Sequence, residues 1–206
     1  MTETPDPPTP FSPLTVSIPA GTILFRCHSA AFRAGETNPG PKGAGRFNFF
    51  GTPAEPVLYL AETPETALCE TLLRYTPSGS PTRLPAAAYR GRVLSEVRIE
   101  RELTFALFHS EGLRRFGLQA NQLTDTPPVN YAQTRKWAAA AHSAGLDGAL
   151  WMSHQLNGNQ AGVVFGSRVS EADLSTVSQL ALDSPAGFEW LVDACAPMKV
   201  DALPPF

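Results

Sequence analysis

The spacing of apolar and polar residues predicts two strands separated by a long loop in the first third of the chain. One strand is predicted over residues 22–27, "TILFRC", and another over "PVLYLA", where Tyr59 shares a face with Val57 and Ala61. Between them, residues 34–45 read "AGETNPGPKGAG", and this density of glycine and proline predicts a loop. Loops of this kind often carry functional residues.

The segment after the second strand, "TPETALCETLLR", has the pattern of a helix. Thr63 is predicted as its N-cap, and Pro64 occupies the first helical position. Glu65 lies in the first turn, where the helix dipole favours a carboxylate. Glu70 borders the apolar stripe of this helix, so its side chain is predicted to lie at the edge of the buried face.

The rest of the chain continues to mix strands and helices. "YRGRVLSEVRIERELTFAL" predicts one or two strands, "SEGLRRFGL" a short helix or loop, and "NYAQTRKWAAAAHSAG" a helix that ends at Gly145. "LDGALWMSH" and "AGVVFGSRV" predict a strand pair across the polar turn "QLNGNQ". The C-terminal segment carries little periodic signal. Five prolines predict a flexible tail over residues 1–13, which leaves residues 14–206 as a single domain.

Composition and charge exclude several classes of function. The chain has 206 residues, 43% of them hydrophobic, and a net charge of -3, so it lacks the basic excess of proteins that bind nucleic acids directly. Its apolar runs are shorter than the ~20 residues of a membrane span, and "MTETPDPPTPFSP" is not predicted to be a secretory signal. Three cysteines, an odd number, predict free thiols in a reducing cytoplasm.

Several strong catalytic motifs are missing from the sequence. It has no G-x-S-x-G elbow, and in "GETNPGPK" Pro41 stands where a phosphate-binding loop needs a backbone N–H. The four histidines form no H-x-x-x-H pair, and no two cysteines are spaced like zinc ligands. We therefore expect no metal ion.

Four short blocks occur in a fixed order along the chain: "ILFRCHS", "NPGPKGAGRFNFFGTP", "VLYLAETPETALCETLL" and "LDGALWMSHQ". Together they resemble the signature blocks of the RES-domain family, from Leu24 to Arg168. That family is named for an arginine, a glutamate and a serine, and consists of bacterial toxins that degrade NAD+ or transfer ADP-ribose to a protein. The resemblance implies an α+β domain similar to the ADP-ribosyltransferases, with a split mixed or antiparallel sheet and flanking helices.

The resemblance also implies a set of site residues. By position, the arginine of the first block is Arg26, the strand tyrosine is Tyr59, the helix glutamate is Glu70 and the serine is Ser153, while Arg46 matches a second arginine. Where Phe47 stands, many family members have tryptophan, and where His154 stands, many have a basic or apolar residue. Neither difference touches the five site residues themselves.

These residue types suit the cleavage of NAD+, which is expected as the substrate. A carboxylate beside the ribose stabilises the positive charge that develops as nicotinamide leaves, and Glu70 is the candidate for this role. Arg26 and Arg46 offer planar, permanently charged groups to the diphosphate. Tyr59 can stack on an aromatic ring, and Ser153 can orient a ribose hydroxyl or the glutamate. The catalytic candidates are therefore Glu70, Arg26, Tyr59 and Ser153, and the NAD+-binding candidates are Arg26, Arg46, Tyr59 and Ser153.

Ordinary structural roles compete with these assignments. Glu70 and Arg74 have the i, i+4 spacing of a surface ion pair, and Glu65 competes with Glu70 for the active role. Arg26 and Arg46 also suit pairing with surface carboxylates. One NAD+ site explains all of these residues together, whereas the structural roles are independent of one another.

Three functions remain open at this point. The first is a toxin that cleaves the nicotinamide–ribose bond of NAD+ by hydrolysis or phosphorolysis, and the second is an ADP-ribosyltransferase that modifies a protein. The third is a non-catalytic nucleotide-binding or interaction module. The family resemblance further implies a small antitoxin partner, often with a helix-turn-helix domain, so that any link to DNA is indirect.

Overall fold

The computed structural model describes residues 3–38, 45–74 and 82–205. Strands and helices alternate along this part of the chain, and three 3-10 turns lie at Pro128–Asn130, Glu171–Asp173 and Ala196–Met198. The strands and helices are, in chain order, β1 (Thr15–Ile18), β2 (Ile23–Ser29), β3 (Val57–Ala61), α1 (Pro64–Thr71), β4 (Thr82–Leu84), α2 (Ala86–Tyr89), β5 (Arg92–Ile99), β6 (Leu103–Leu107), α3 (Ser110–Arg115), α4 (Ala120–Leu123), α5 (Tyr131–Ser143), β7 (Gly148–Met152), β8 (Gln160–Phe165), β9 (Leu174–Ala181), α6 (Pro185–Cys195) and β10 (Val200–Ala202).

Eight strands form one mixed sheet in the order β1-β6-β7-β8-β3-β2-β5-β9. Strands β6 and β7 are parallel, and the other neighbouring pairs of this sheet are antiparallel. Strands β4 and β10 form a separate parallel pair. The predicted α+β class, with a mixed sheet and flanking helices, is confirmed.

The sheet opens between two adjacent inner strands, β2 and β3. Strand β2 pairs with β5 from Ile23 to Ser29, and β3 pairs with β8 along its whole length. Between themselves, β2 and β3 share a single register pair, Phe25 with Ala61. Beyond that pair the two strands diverge and leave a gap in the middle of the sheet. The gap places side chains of both strands around one space.

Helix α1 crosses this region because its sequence determines both its start and its buried face. The Thr63 side chain caps the helix by accepting a hydrogen bond from the Thr66 backbone N–H at 3.2 Å, and Pro64 follows at the first helical position. Leu68 and Cys69 are buried against the sheet. Burial of one leucine side chain contributes about 2 kcal/mol, so this face holds the helix in place.

The apolar core consists of three clusters. The first lies between α5 and strands β3, β7 and β8, around Trp137. The second lies between β2, β5 and the helices α1 and α6, and includes Leu68 and Leu191. The third contains Leu58 and Leu60, on the face of β3 opposite Tyr59, as the alternation of this strand predicts. The gap between β2 and β3 therefore lies between the first two clusters.

Most of the predicted elements are present with shifted ends. The first predicted strand, residues 22–27, is β2 at Ile23–Ser29, and the segment predicted as one or two strands forms β5 and β6. Of the predicted loop over residues 34–45, only 34–38 and 45 belong to the described residues. Strand β9 and helix α6 form where the residue pattern carries little periodic signal. Strand β9 pairs with β5 and leaves most of its side chains exposed, so its composition is not that of a buried strand.

The N-terminal segment packs against the domain. The Trp137 indole N–H donates to the Pro5 carbonyl at 2.8 Å, and the Phe11 ring stacks on Phe116 at 5.4 Å. The described part of this segment, residues 3–13, thus lies against the domain, and the flexibility predicted for residues 1–13 stays a prediction. Proline limits the freedom of the unfolded segment, so ordering it costs less than for a flexible sequence. The domain boundary at residue 13 stays a prediction.

Within the described residues, no helix is long and apolar enough to cross a membrane.

Candidate active site

A cavity of about 370 Å³ occupies the gap between β2 and β3, and its volume is in the range of small-molecule sites. Four of the five predicted site residues line it, namely Arg26, Arg46, Tyr59 and Glu70. Much of the remaining wall is apolar or aromatic, from residues that include Phe25, Phe32, Leu60, Ala67, Trp151 and Ala161. The cavity thus combines an apolar lining with a few polar groups, as ligand sites usually do.

Ser153, the fifth predicted residue, lies behind Glu70. Its side chain is fully buried, and its hydroxyl donates to Glu70 Oε1 at 2.6 Å. The same hydroxyl accepts from the Leu156 backbone N–H at 3.1 Å, so both its donor and an acceptor position are used. Of the two roles that the sequence left open for Ser153, this geometry corresponds to orienting the glutamate.

Tyr59 projects into the cavity from the middle of β3. Its hydroxyl donates to Asn48 Oδ1 at 2.8 Å and accepts from the Phe47 backbone N–H at 3.2 Å. The side chain is 36% exposed, yet its hydroxyl is enclosed, and burial raises the pKa of Tyr59 to about 12. Trp151 meets the Tyr59 ring edge-on at 6.1 Å between centroids. A neutral, fixed phenol beside an indole gives the cavity an aromatic wall.

Gly45 explains how the segment around Asn48 reaches Tyr59. A Cβ atom on Gly45 would lie 1.9 Å from Asn48 Oδ1 and 3.1 Å from the Tyr59 hydroxyl. The first contact would require the Asn48 side chain to move, and the second would be tight. The glycine in "GAGRF" therefore permits the hydrogen bond that fixes the tyrosine.

Arg26 faces the cavity from β2, and Nη1 of its guanidinium is already hydrogen-bonded within the protein. Nη1 donates to the backbone carbonyls of Arg33, Ala34 and Glu36 at 3.0, 2.7 and 2.7 Å. Burial lowers the pKa of Arg26 to about 10, although the nearby Glu36 carboxylate acts in the opposite direction. The side chain thus holds the start of the 34–45 loop against the sheet. Its predicted role in binding the diphosphate stays a prediction.

Arg46 is buried, with 8% of its surface exposed, and links two cavities. Its Nη2 donates to the Thr126 carbonyl at 3.3 Å, and its guanidinium lies 5.5 Å from the centre of the Tyr131 ring. The second cavity, of about 390 Å³, shares Arg46, Glu70 and Arg74 with the first and is otherwise lined mostly by polar residues and prolines. Glu70 therefore lies where the two cavities meet.

The competing carboxylate, Glu65, is placed differently. It lies in the first turn of α1, as predicted, and is not among the described residues that line the two cavities. The structure thus brings Arg26, Arg46, Tyr59 and Glu70 to one space with Ser153 directly behind, and leaves Glu65 outside it.

Sequence reasoning missed several residues of this site. His28 lines the first cavity, where its Nε2 lies 2.8 Å from Ser95 Oγ and its Nδ1 lies 2.9 Å from the Ser29 carbonyl. Because a carbonyl only accepts, Nδ1 carries the proton. Burial lowers the pKa of His28, and the charge of Arg26 adds to this. A strand position two residues after Arg26, on the same face, was the signal available in the sequence.

Asn48 and Tyr131 were also missed. Asn48 is bonded to Tyr59, and the Tyr131 hydroxyl accepts from Arg74 Nη2 at 2.8 Å. Both act through contacts between residues far apart in sequence, so no local pattern points to them. Trp151 is 2% exposed and also lines the first cavity.

The three cysteines are free and buried. Burial raises the pKa of Cys27 and of Cys69 to about 12, and that of Cys195 to about 11, so all three thiols stay protonated at neutral pH. Cys69 adjoins Glu70 in sequence but offers no thiolate to the site. Within the described residues, no group of three or more His, Cys, Asp or Glu side chains is placed to hold a metal ion.

Comparison with known proteins gives a family and a fold. The family model described as the RES domain matches residues 23–186 of the chain. A chain in the crystal structure of the M. tuberculosis MbcT-MbcA toxin-antitoxin complex is similar in structure, with a TM-score of 0.62 and 17% sequence identity. The match covers 85% of this chain and 91% of that chain, so the two share a fold. No curated protein matches the sequence.

Proposed function

The chain belongs to the RES domain family, and on this premise we propose that it is the toxin of a toxin–antitoxin pair and cleaves the nicotinamide–ribose bond of NAD+. The observation that carries the proposal is Glu70, held at 2.6 Å by the buried Ser153 hydroxyl where an aromatic cavity meets a second cavity that shares Arg46 and Arg74 with it. A nicotinamide ring suits the aromatic wall, a ribose suits the carboxylate, and a diphosphate suits the arginines.

The first cavity suits the nicotinamide end of the substrate. Tyr59 and Trp151 provide aromatic surface, and the phenol of Tyr59, whose pKa burial raises to about 12, is neutral at physiological pH. A ring seated there brings its ribose towards the Glu70 carboxylate. The electron pair of the glycosidic bond leaves with nicotinamide, which becomes neutral, and positive charge develops on the ribose. A fixed carboxylate stabilises that charge without reorganising, and its effect is larger in the transition state than in the bound substrate.

The bond that breaks is the same whichever nucleophile attacks the ribose. Water gives ADP-ribose, inorganic phosphate gives its phosphorylated form, and a protein side chain gives an ADP-ribosylated protein. Protein modification is the second candidate function, and the family resemblance is the observation that favours it. A non-catalytic nucleotide-binding module is the alternative outside the enzymes.

An antitoxin partner forms part of the same proposal. The similar solved structure is that of a toxin-antitoxin complex, and the match with the present chain covers 91% of the chain in that complex. A protein that occludes the gap between β2 and β3 would block access to Glu70. We expect such a partner to be small and to carry a helix-turn-helix domain, and the reaction to take place in the cytoplasm.

The test is release of nicotinamide from NAD+ by purified, partner-free protein. Glu70→Gln keeps the size of the side chain and removes its charge, so the rate is expected to fall about a hundredfold or more. The matched control is Glu65→Gln, on the same helix but outside both cavities, which is expected to keep the wild-type rate. Both variants are compared with wild type by thermal unfolding.

Each outcome separates the functions. No turnover by wild type, with and without phosphate or a cell extract, contradicts the enzymatic proposal and favours the binding module. Turnover that Glu65→Gln abolishes and Glu70→Gln leaves intact contradicts the assignment of the carboxylate. If the NAD+ is labelled and the label appears on a protein in the extract, with little free ADP-ribose, the function is that of an ADP-ribosyltransferase.

A further inference from the structure

The second cavity contains a histidine–carboxylate pair. His154 Nδ1 lies 2.6 Å from Asp125 Oδ1, and both residues line the second cavity but are not among the described residues that line the first. At this distance the two atoms share a proton, because without one both are acceptors. An imidazole is more basic than a carboxylate, so the proton lies on Nδ1.

The other ring nitrogen of His154, Nε2, has no hydrogen-bond partner among the described residues. With the proton on Nδ1, Nε2 of the neutral ring carries a lone pair that accepts a proton. Imidazole is the side-chain group that exchanges a proton most readily near neutral pH. A carboxylate on Nδ1 orients the ring and stabilises the charge that it gains. His154 and Asp125 thus have the composition of a general base and its positioning group.

The residues on both sides of His154 are fixed to the segment that carries Glu70. Ser153, the preceding residue, donates to Glu70 Oε1 at 2.6 Å. Gln155, the following residue, donates through Nε2 to the Arg74 carbonyl at 3.1 Å. Glu70 belongs to helix α1, and Arg74 follows the end of this helix. The backbone of His154 is therefore held close to the carboxylate beside which the ribose lies in the proposed reaction.

The second cavity gives a nucleophile a way to the ribose. Glu70 lines both cavities, so a ribose beside its carboxylate borders the second one. In the proposed reaction nicotinamide occupies the first cavity, which leaves the second for the group that replaces it. The side chains of His154 and Asp125 are 48% and 47% exposed, so water has access to the imidazole.

We propose that His154 is a general base that activates water at this site, that Asp125 positions it, and that the reaction is therefore hydrolysis. This inference rests on the proposed function, since it assigns the group that attacks the ribose. The bond between the ribose and nicotinamide breaks, and its electron pair leaves with nicotinamide. A lone pair of the water oxygen forms the new bond to the anomeric carbon. One proton of that water passes to His154 Nε2, and the imidazolium then releases it to solvent.

A surface ion pair is the competing role for these two residues. Exposed pairs contribute little to stability, and this one would then only join the turn after Ser153 to the segment before α5. In that role, a substitution displaces Ser153 and Glu70 together and changes every reaction at the ribose. A general base, in contrast, acts only on a nucleophile that has to lose a proton. This difference allows the two roles to be separated.

The experiment compares two reactions of NAD+ in the same purified protein. Hydrolysis, measured as formation of ADP-ribose, requires an acceptor for the proton of water. Exchange of labelled free nicotinamide into NAD+ breaks and forms the same bond, but the ring nitrogen of nicotinamide has no proton to lose. General base catalysis contributes about 10²–10⁴-fold, so His154→Gln is expected to lower hydrolysis about a hundredfold and to leave exchange unchanged. The ratio of the two rates does not depend on how much of the protein is folded.

The matched control is His142→Gln. His142 also lies near a carboxylate, Glu55, at 3.6 Å, but it is not among the described residues that line either cavity. This variant is expected to keep both rates. Asp125→Asn tests the positioning role and is expected to lower hydrolysis about tenfold without changing exchange, because an amide also offers N–H donors and no longer holds the proton on Nδ1.

The pH dependence of the two rates is a second readout, which a purely structural role would not change. In wild type, the ratio of hydrolysis to exchange is expected to fall towards acidic pH, because a protonated imidazole accepts no further proton. In His154→Gln, this ratio is expected to be independent of pH. The other titratable side chains that line the second cavity are present in both proteins, namely Arg46, Glu70, Arg74, Asp125 and Tyr131.

The proposal is overturned if His154→Gln lowers hydrolysis and exchange equally, or if it changes neither. It is also overturned if wild type exchanges nicotinamide but forms no ADP-ribose from water. Each of these results leaves the cleavage of NAD+ in place. If wild type neither exchanges nor releases nicotinamide, the proposed reaction itself is contradicted, and the general base with it. Exchange by wild type therefore distinguishes failure of this inference from failure of the proposed function.

Discussion

The two walls of the first cavity hold their polar groups in different ways. On the wall of β3 and α1, Glu70 and Tyr59 are fixed by side chains from distant segments, Ser153 and Asn48, and both still line the cavity. The bond from Ser153 uses Oε1 of Glu70 alone, whereas the Tyr59 hydroxyl is bonded on both sides and the residue offers its ring to the cavity. This wall presents groups that are held in place and still face a ligand.

On the wall of β2, the protein itself takes up the polar atoms. Arg26 Nη1 donates to three carbonyls of residues 33–36, and both ring nitrogens of His28 lie within hydrogen-bond distance of Ser95 Oγ or the Ser29 carbonyl. Arg26 and His28 therefore line the cavity while their polar atoms bond to the protein, and Arg26 also anchors the loop that contains residues 33–36. We infer that substitutions on β2 act mainly on stability, and those on the opposite wall mainly on the reaction.

Arg26→Gln gives the largest expected loss of stability. Removing the guanidinium leaves three backbone carbonyls without their donor, two of them in partly buried hydrogen bonds, and hydrogen bonds to charged groups contribute about 1.5–3 kcal/mol each. We expect the free energy of unfolding to fall by about 3 kcal/mol, measured by urea denaturation.

The matched control is Arg33→Gln, in the same region. Arg33 pairs with Glu171 at 2.7 Å, and their side chains are 73% and 46% exposed, so its loss is expected to change the stability very little, because exposed ion pairs are screened by solvent. If the two substitutions lower the free energy of unfolding equally, Arg26 does not anchor the loop. The inference that substitutions on the β2 wall act mainly on stability would then be wrong.

Ser153→Ala tests the other wall. The change removes the donor to Glu70 Oε1 and the acceptor of the Leu156 N–H. We expect kcat for nicotinamide release to fall about tenfold with little change in KM, because the carboxylate loses its fixed position rather than its charge. The stability loss is expected to be about 1 kcal/mol.

Ser95→Ala is the matched control on the β2 side. Ser95 is also fully buried, and its hydroxyl lies 2.8 Å from His28 Nε2 and accepts from Gln179 Nε2 at 3.2 Å. A similar loss of stability with a much smaller change in kcat is expected. If both serine variants lower kcat to the same extent, Ser153 acts through general stability and not through Glu70.

The features that the sequence predicts correctly are those that depend on neighbouring residues. The cap at Thr63 and the alternation of β3 lie within a few residues of the groups they position, so local rules apply. The family resemblance adds Ser153, which lies 83 residues from the glutamate it contacts. Without that resemblance, the i, i+4 spacing of Glu70 and Arg74 favours a plain surface pair.

The features that the sequence did not predict depend on long-range pairing. The gap between β2 and β3 arises because the strands meet at a single register pair, and no property of either strand alone encodes this. Tyr131 reaches Arg74 across 57 residues, and Asn48 reaches Tyr59 because Gly45 has no side chain. The N-terminal prolines indicate flexibility by composition, yet their segment packs on Trp137 through a backbone carbonyl and Phe11. Amino-acid composition gives no information about contacts of this kind.

The smallest expected effect is a pH dependence from His28 on the β2 wall. The pKa of His28 is lowered in the folded protein. Below the ordinary value of 6.5, this side chain is therefore protonated in the unfolded chain but not yet in the folded one. The stabilisation is complete above that pH and is lost as the pH falls towards the folded pKa, by at most about 1.4 kcal/mol per pH unit for one group.

Urea unfolding of wild type and His28→Gln at pH 7.5 and 5.5 measures this effect. The free energy of unfolding is expected to fall more between the two pH values for wild type than for His28→Gln. His109, whose pKa burial also lowers, contributes the same slope to both proteins. If the free energy of unfolding depends on pH in the same way for both proteins, His28 accepts its proton in the folded state. The β2 wall would then carry a positive charge at His28, contrary to what the hydrogen bonds of this residue indicate.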